Sequence, residues 1–378
     1  MKKGNNPFLI KGYVSSELFC DRQKETMELY GNVQNGIDTT LISPRRMGKT
    51  GLILHFFDFL DKQTDIEAIY ADIYAARSLN DFIKLIVEAM LRKFPEKTSI
   101  GARFLTLLKG LRPLISYDAI SGEPQIQIAY QSIQEKEYTL QGLLRFLDSQ
   151  SVSVVLAIDE FQQITSFPEQ NIEALLRTYI QQLKNIRFIF CGSRKDMMTH
   201  IFSNAKRPFF SSTQYLMLDK IDIEVYASFI KKVFAENGMD ITPNAVDFIL
   251  TWTKCHTFFT QSVCNMTYQM ANESITIEDV KAACVELLKR NEAVFFQYRQ
   301  LLTPAQWNFL IAIAKEGEVK QFSAKKFLSQ YKIGTPSDAR RIIKSLISKE
   351  LILEIHTKKE TVYQVYDLFL SRWLEREY

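Results

Sequence analysis

Ser43-Pro44-Arg45-Arg46-Met47-Gly48-Lys49-Thr50 follows directly on the apolar run Thr40-Leu41-Ile42. The Gly-Lys-Thr end has the form of a phosphate-binding loop, with Ser43 where the first glycine of the octamer is expected. Such a loop needs backbone amides pointing inward, a cation for the terminal phosphate and a hydroxyl for magnesium. Gly48 permits close backbone approach, and Lys49 and Thr50 supply the other two. A helix is expected over residues 51–61, with its N-terminal amides and dipole, from Gly51 on, facing the phosphates. Taken alone, the octamer reads equally well as a chance Gly-Lys-Thr on an exposed turn.

A second motif decides between these readings. Residues 152–158 form an apolar run that ends in Asp159-Glu160, the Walker B arrangement. Asp159 would hold the magnesium shell with Thr50, and Glu160 would orient or deprotonate the attacking water. Further apolar, β-branched or aromatic runs lie at 39–42, 66–73, 186–190 and 215–218, separated by helical patterns. Runs that are apolar on consecutive residues predict strands buried on both faces, as in a parallel sheet covered by helices. The run at 186–190 leads into Cys191-Gly192-Ser193-Arg194. A polar residue at that tip can read the γ-phosphate or the water. Ser193 is the first choice and Arg194 the second, against an ordinary helix cap by Ser193. Arg207, before the fifth run, is a candidate finger on the γ-phosphate in cis or in trans, or else a surface arginine beside Pro208-Phe209-Phe210. Arg45 and Arg46 project from the loop with no assigned target.

Together these motifs resemble an archaeal-type ATPase family, STAND- and AAA+-like and related to the origin-recognition initiators. Phe19-Cys20-Asp21-Arg22-Gln23-Lys24-Glu25 looks like the box that opens many such ATPases, and the stretches Pro44 to Thr50, Ile158-Asp159-Glu160-Phe161-Gln162 and Gly192-Ser193 also match the family. The resemblance implies an α/β P-loop NTPase core built on a three-layer parallel sheet, then a helical lid and a C-terminal winged helix. In that sheet the strand ending at Gly192 lies between the two Walker strands. It implies ATP and magnesium as ligands, with Phe19 and Arg22 beside the adenine. Ser43 departs from the family glycine. His256, in Lys254-Cys255-His256-Thr257, stands where relatives carry a Gly-x-Pro turn and takes that nucleotide-facing role in this reading.

The second half fits these expectations. Helical periodicity replaces the strand pattern over 223–237, 242–253, 258–271 and 277–288. Thr242-Pro243 places proline in a first turn, and Glu278-Asp279 place acids in another. Helices at 303–314, 323–331 and 335–346 and strands at 351–355 and 361–366 then read as a winged helix. The resulting divisions are 1–220 for the core, 221–300 for the lid and 301–378 for the winged helix. The last of these holds 13 Lys and Arg against 9 Asp and Glu, which accounts for the whole of the chain's formal +4. Arg340, Arg341 and Lys344 on the third helix, with Lys358 and Lys359 in the wing, would contact duplex DNA phosphates. Protein contact by the winged helix is the other reading. The tail around Trp373-Leu374 is expected to pack back on this module.

With 46% hydrophobic residues and 27 Phe, the 378-residue chain has core material for two or three domains. No apolar run approaches the roughly 18 residues of a membrane span. The N-terminus lacks an apolar segment after its lysines, and five scattered cysteines fit a reducing cytoplasm. Residues 77–150 are long for one connection. Helices are expected there at 81–94 and 138–147, with a hairpin between 115 and 130 where a partner could bind. The function implied is a slow, Mg-dependent ATPase that acts as a nucleotide-controlled switch and relays its state to the winged helix. The alternative is a DNA-associated, initiator-like regulator that holds ATP mainly structurally. A homo-oligomer is compatible with either.

Overall fold

A computed structural model describes residues 6–109, 114–117, 124–127, 132–356 and 359–378. The chain divides into two compact units, Lys11–Ile221 and, with the N-terminal residues to Ile10, Asp222–Tyr378.

The first unit runs α1 (Gln23–Gln34), β1 (Thr39–Ile42), α2 (Lys49–Gln63), β2 (Glu67–Asp72), α3 (Leu79–Lys93), α4 (Ser99–Lys109), β3 (Leu114–Tyr117), β4 (Pro124–Gln127), α5 (Ile133–Asp148), β5 (Val154–Asp159), α6 (Ile172–Ile180), β6 (Ile186–Gly192), α7 (Lys195–Ser203) and β7 (Gln214–Met217). Among the described residues the main sheet is parallel, in the order β2-β5-β6-β1-β7. The strand ending at Gly192 thus lies between the Walker strands β5 and β1, as expected.

The consecutive apolar runs have a direct cause. Side chains alternate across a strand, and both faces of this sheet are covered. Val154, Leu156 and Ile158 of β5 join a core with α3, α5 and α6, while Val155 and Ala157 join a second core with α1 and α2. On β6, Phe188 and Phe190 face the first core, and Ile189 and Cys191 the second.

Among the described residues, the long connection before β5 holds three helices where two were expected. The missed one is α4. Gly101 reads in sequence as a helix breaker, yet it marks a close approach: a Cβ there would lie 2.0 Å from the Pro95 carbonyl oxygen. The hairpin is present as β3 and β4, paired antiparallel from Leu114↔Gln127 to Tyr117↔Pro124.

The second unit contains α8 (Ile223–Glu236), β8 (Asp240–Ile241), α9 (Pro243–Trp252), α10 (Thr257–Met270), β9 (Ser274–Ile275), α11 (Ile277–Leu301), α12 (Pro304–Glu316), α13 (Lys325–Tyr331), α14 (Pro336–Ser348), β10 (Ile352–His356), β11 (Thr361–Val365) and α15 (Leu368–Glu377). Capping boxes at Thr276/Asp279, Thr303/Gln306 and Thr335/Asp338 start α11, α12 and α14, each satisfying two terminal amides that the helix leaves unpaired.

Three expectations need correction here. The helix from Ile277 does not stop near 288 but continues to Leu301, because Phe295 is buried against Trp373, ring centroids 5.4 Å apart. The helical stretch also contains a two-residue parallel strand pair, β8 with β9. Residues 6–10, expected in the core, pack in this unit: Asn265 Nδ2 donates to the Phe8 carbonyl at 2.7 Å, and Phe8 lies 4.6 Å from Phe234. The tail does fold back on the module as α15, with Trp373 also 6.3 Å from Trp307.

Candidate functional site

The site forms where β1 and β5 end and α2 begins. Arg46 (φ +64°) and Gly48 (φ +92°) both adopt left-handed backbone, which turns the chain from β1 into α2. Glycine takes that conformation at no steric cost; arginine does not. The first amides of α2 have no partner within their own helix and point along its axis, which suits a phosphate. Pro44, Arg45 and Arg46 are exposed on the loop, and Met47 is buried beneath it. Ser43 is fully buried, and its Oγ donates to the Pro44 carbonyl at 2.8 Å. That local bond satisfies the hydroxyl, so serine fits where glycine was expected.

Lys49 and Thr50 converge on Asp159. Lys49 Nζ donates to Asp159 Oδ1 at 3.1 Å and to Glu160 Oε1 at 3.4 Å, while Thr50 Oγ1 donates to Asp159 Oδ2 at 3.0 Å. Two more donors complete Asp159: the Glu160 amide on Oδ1 at 2.9 Å and the Tyr70 phenol on Oδ2 at 2.9 Å. Burial pushes the Asp159 carboxyl up, but Lys49 and the hydrogen bonds from Tyr70, Lys49 and Thr50 outweigh it and hold the group below the usual carboxylate range. Burial likewise works against the Lys49 ammonium, yet Asp159 and Glu160 prevail and raise its pKa.

Glu160 sits at φ +56°, a left-handed position costly for a side-chain-bearing residue. Phe161, next in sequence, anchors it from behind among Phe190 at 4.5 Å, Phe209 at 5.6 Å and Phe202 at 5.8 Å. Ser193 Oγ donates to Glu160 Oε2 at 2.9 Å, and Gln162 Nε2 donates to the same oxygen. Ser193 thus lies beside the acid. Arg194 instead pairs with Asp196 at 3.5 Å on the surface.

The remaining candidates have these surroundings. Phe19 stacks on His55 of α2 at 4.5 Å and lies against Gly51, where a Cβ would come within 3.1 Å of its ring. Arg22 is buried, donating to Glu25 at 2.7 Å and to the Asp219 carbonyl at 2.6 Å, so it ties the opening box to the chain beyond β7. Arg207 pairs with the buried carboxylate of Glu173 on α6, while Phe209 inserts among the aromatics behind Glu160. His256 precedes α10 in the second unit, 4.6 Å from Phe259. On α14, Arg340, Arg341 and Lys344 are exposed, with Arg341 3.2 Å from Asp338, whereas Ile342, Ile343 and Leu346 are buried. Lys359 is exposed, and Lys358 lies outside the described residues.

Tyr70 and Glu173 were not anticipated as parts of the site or of its support, and Gln162 and Gly192 fell within the family stretches without an assigned role. Tyr70 reads as a strand aromatic, and Gln162 as a polar letter two places after the acid pair. The structure gives the reason for glycine at 192: a Cβ there would meet Met198 at 2.4 Å and Gln162 Oε1 at 2.6 Å. Gly192→Ala is therefore expected to displace Gln162 from Glu160. It should cost about 1–3 kcal/mol in denaturant unfolding and lower turnover without changing nucleotide affinity.

The oxygen set offered by Thr50 and Asp159 suits a hard divalent cation such as magnesium, and the loop amides with Lys49 suit a polyphosphate. A search of curated protein sequences finds no match. Among solved structures, the Walker-type ATPase PABY2304 of Pyrococcus abyssi aligns with TM-score 0.66 and 17% identity, over 97% of this chain and 99% of that one. The ORC2 protein of Aeropyrum pernix, in its ADPNP–ADP complexes, aligns with TM-score 0.61 and 16% identity, over 98% and 96%. The ORC1 protein of the same organism, in complex with DNA, gives TM-score 0.50 and 13% identity over 95% and 93%. At these identities the likeness is one of fold. The family described as an ATPase domain predominantly from Archaea matches residues 19–257, and a probable winged helix domain matches residues 293–376. The chain thus belongs to that archaeal-type ATPase family, with a winged helix at its C-terminal end.

Proposed function

We propose that the protein binds ATP with Mg2+ at the Lys49–Thr50–Asp159–Glu160 site, hydrolyses it slowly, and uses the nucleotide state to control what its winged helix engages. One observation carries this reading: Lys49 and Thr50 of the loop both donate to Asp159, while Ser193 and Gln162 hold Glu160 beside it. Asp159 and Thr50 would hold the metal, which supplies charge neutralisation at the phosphates when bound. Lys49 would exchange its carboxylates for phosphate. Glu160 would take the proton of the attacking water, and Ser193 would fix its carboxylate. Phe19 would line the base side of the site, with Arg22 holding that segment in place. Arg207 would serve as a finger only after leaving Glu173. Separate lid (221–300) and winged-helix (301–378) parts, and a cytoplasmic location, belong to the same proposal.

The test is ATP turnover by the purified protein, with and without duplex DNA, alongside its mass in solution. Binding without turnover above background would instead support a protein that holds ATP structurally.

The exposed row Arg340, Arg341 and Lys344 on α14 favours DNA as the partner. Binding to duplex DNA is then expected to weaken steeply with salt. Replacing Arg340 and Arg341 by alanine should lower the slope of log affinity against log salt by about 2. A salt-independent interaction, or an unchanged slope, removes DNA and leaves a protein partner.

A further inference from the structure

Four donors converge on Asp159, two on each oxygen. Oδ1 receives the Lys49 ammonium and the Glu160 amide; Oδ2 receives the Thr50 hydroxyl and the Tyr70 phenol. These donors differ in what else they are needed for. In the function proposed above, Lys49 turns to the phosphates and Thr50 to the metal. One donor then remains on each oxygen: the Glu160 amide on Oδ1 and Tyr70 on Oδ2. A carboxylate held at only one oxygen can rotate about its Cβ–Cγ bond, whereas one held at both keeps its plane.

The sheet explains how Tyr70 reaches this position. β2 pairs in register with β5, Tyr70 opposite Ala157 and Asp72 opposite Asp159. Alternation sends Ile69 and Ala71 to the core on the α3 side, and Tyr70 to the opposite face, against the α2 core. Thr50 is on α2, so phenol and threonine hydroxyl arrive at the same oxygen from one side. Phenylalanine would fill the core equally well; only the phenol O–H adds the bond to Asp159.

We propose that Tyr70 is a positioning residue for the metal-holding carboxylate, keeping Asp159 oriented once Lys49 and Thr50 have turned to the nucleotide and its metal. This rests on the reading of Asp159 as the residue that holds Mg2+.

The experiment is equilibrium binding of a fluorescent ATP analogue, titrated with Mg2+ from an EDTA-containing start, for wild type, Tyr70→Phe and Asp159→Asn. Tyr70→Phe is expected to raise the Mg2+ concentration for half-maximal tightening about 10-fold, in line with the loss of a group that orients a metal ligand, and to leave metal-free affinity unchanged. Asp159→Asn should abolish the Mg2+ response. A Mg2+-responsive wild type matched by Tyr70→Phe overturns the role of Tyr70 alone. Loss of metal-free binding in Tyr70→Phe overturns it too, in favour of a purely structural bond. A wild type indifferent to Mg2+, or an Asp159→Asn protein that still responds, removes the metal reading itself and the proposal with it.

Discussion

Lys49→Ala is expected to weaken ATP binding by about 10- to 150-fold, measured by direct titration. The lysine is directed inward by its bonds to Asp159 and Glu160, while Arg45 and Arg46 are exposed. A charge-assisted hydrogen bond to an anion contributes about 1.5–3 kcal/mol, and 1.4 kcal/mol is a factor of ten in affinity. The substitution has a second consequence. Lys49 and Asp159 are both buried, with side chains 8% and 5% exposed, and the ammonium balances Glu160 as well. Removing one partner of a buried pair costs about 3–5 kcal/mol, because the other charge is left in a poorly solvated place. Three neutral donors remain on Asp159, so the loss here should fall at the lower end of that range. Lys49→Ala/Asp159→Asn separates the two effects. The double variant should recover most of the denaturant midpoint and none of the ATP affinity. Recovery of both would mean that Lys49 serves only to neutralise Asp159.

How much of this site is legible in sequence follows from what each residue does. Lys49, Thr50, Asp159 and Glu160 lie at strand ends or helix starts, where a motif has fixed spacing and chemistry restricts the residue type. The central strands β1, β5 and β6 are legible because burial on both faces keeps their letters largely apolar or small. Supporting residues lack such a signature. Tyr70 is an ordinary strand residue until β2 is laid in register beside β5, and 89 positions separate it from the carboxylate it touches. Gln162 makes its contact because Glu160 adopts left-handed backbone, which its letter does not announce. Arg207 shows the converse: a residue type suited to a finger, paired in this structure with Glu173 through a fold that brings α6 beside the segment before β7. The expected end of α11 near 288 falls where the polar letters Lys289-Arg290-Asn291-Glu292 begin, midway along the helix. Burial of Phe295 by α15, remote in sequence, stabilises the continuation.

Glu160→Gln is expected to lower kcat by about 10²–10⁴, the range for loss of a positioned general base, while ATP affinity stays within about threefold of wild type. The reason lies in how the two oxygens are used. Oε2 takes both Ser193 and Gln162, and among the described residues Oε1 accepts from Lys49 alone, at 3.4 Å. Ser193 and Gln162 therefore act as the anchor, and Oε1 is the oxygen left to meet water once Lys49 has moved to phosphate. A glutamine can place its carbonyl oxygen at the anchored position and keep both donors. Its NH2 group then occupies the place of Oε1, where it can neither take a proton nor compete for Lys49. Binding should survive for that reason, and turnover should not. Ser193→Ala should fall between the two proteins, since it removes one of two anchoring donors and leaves the base. Single-turnover hydrolysis and equilibrium ATP binding, measured side by side for wild type and both variants, check this order. Sustained hydrolysis by Glu160→Gln would remove Glu160 as the base and leave its hydrogen bonds a structural role, closing the turn between β5 and the aromatic cluster behind Phe161.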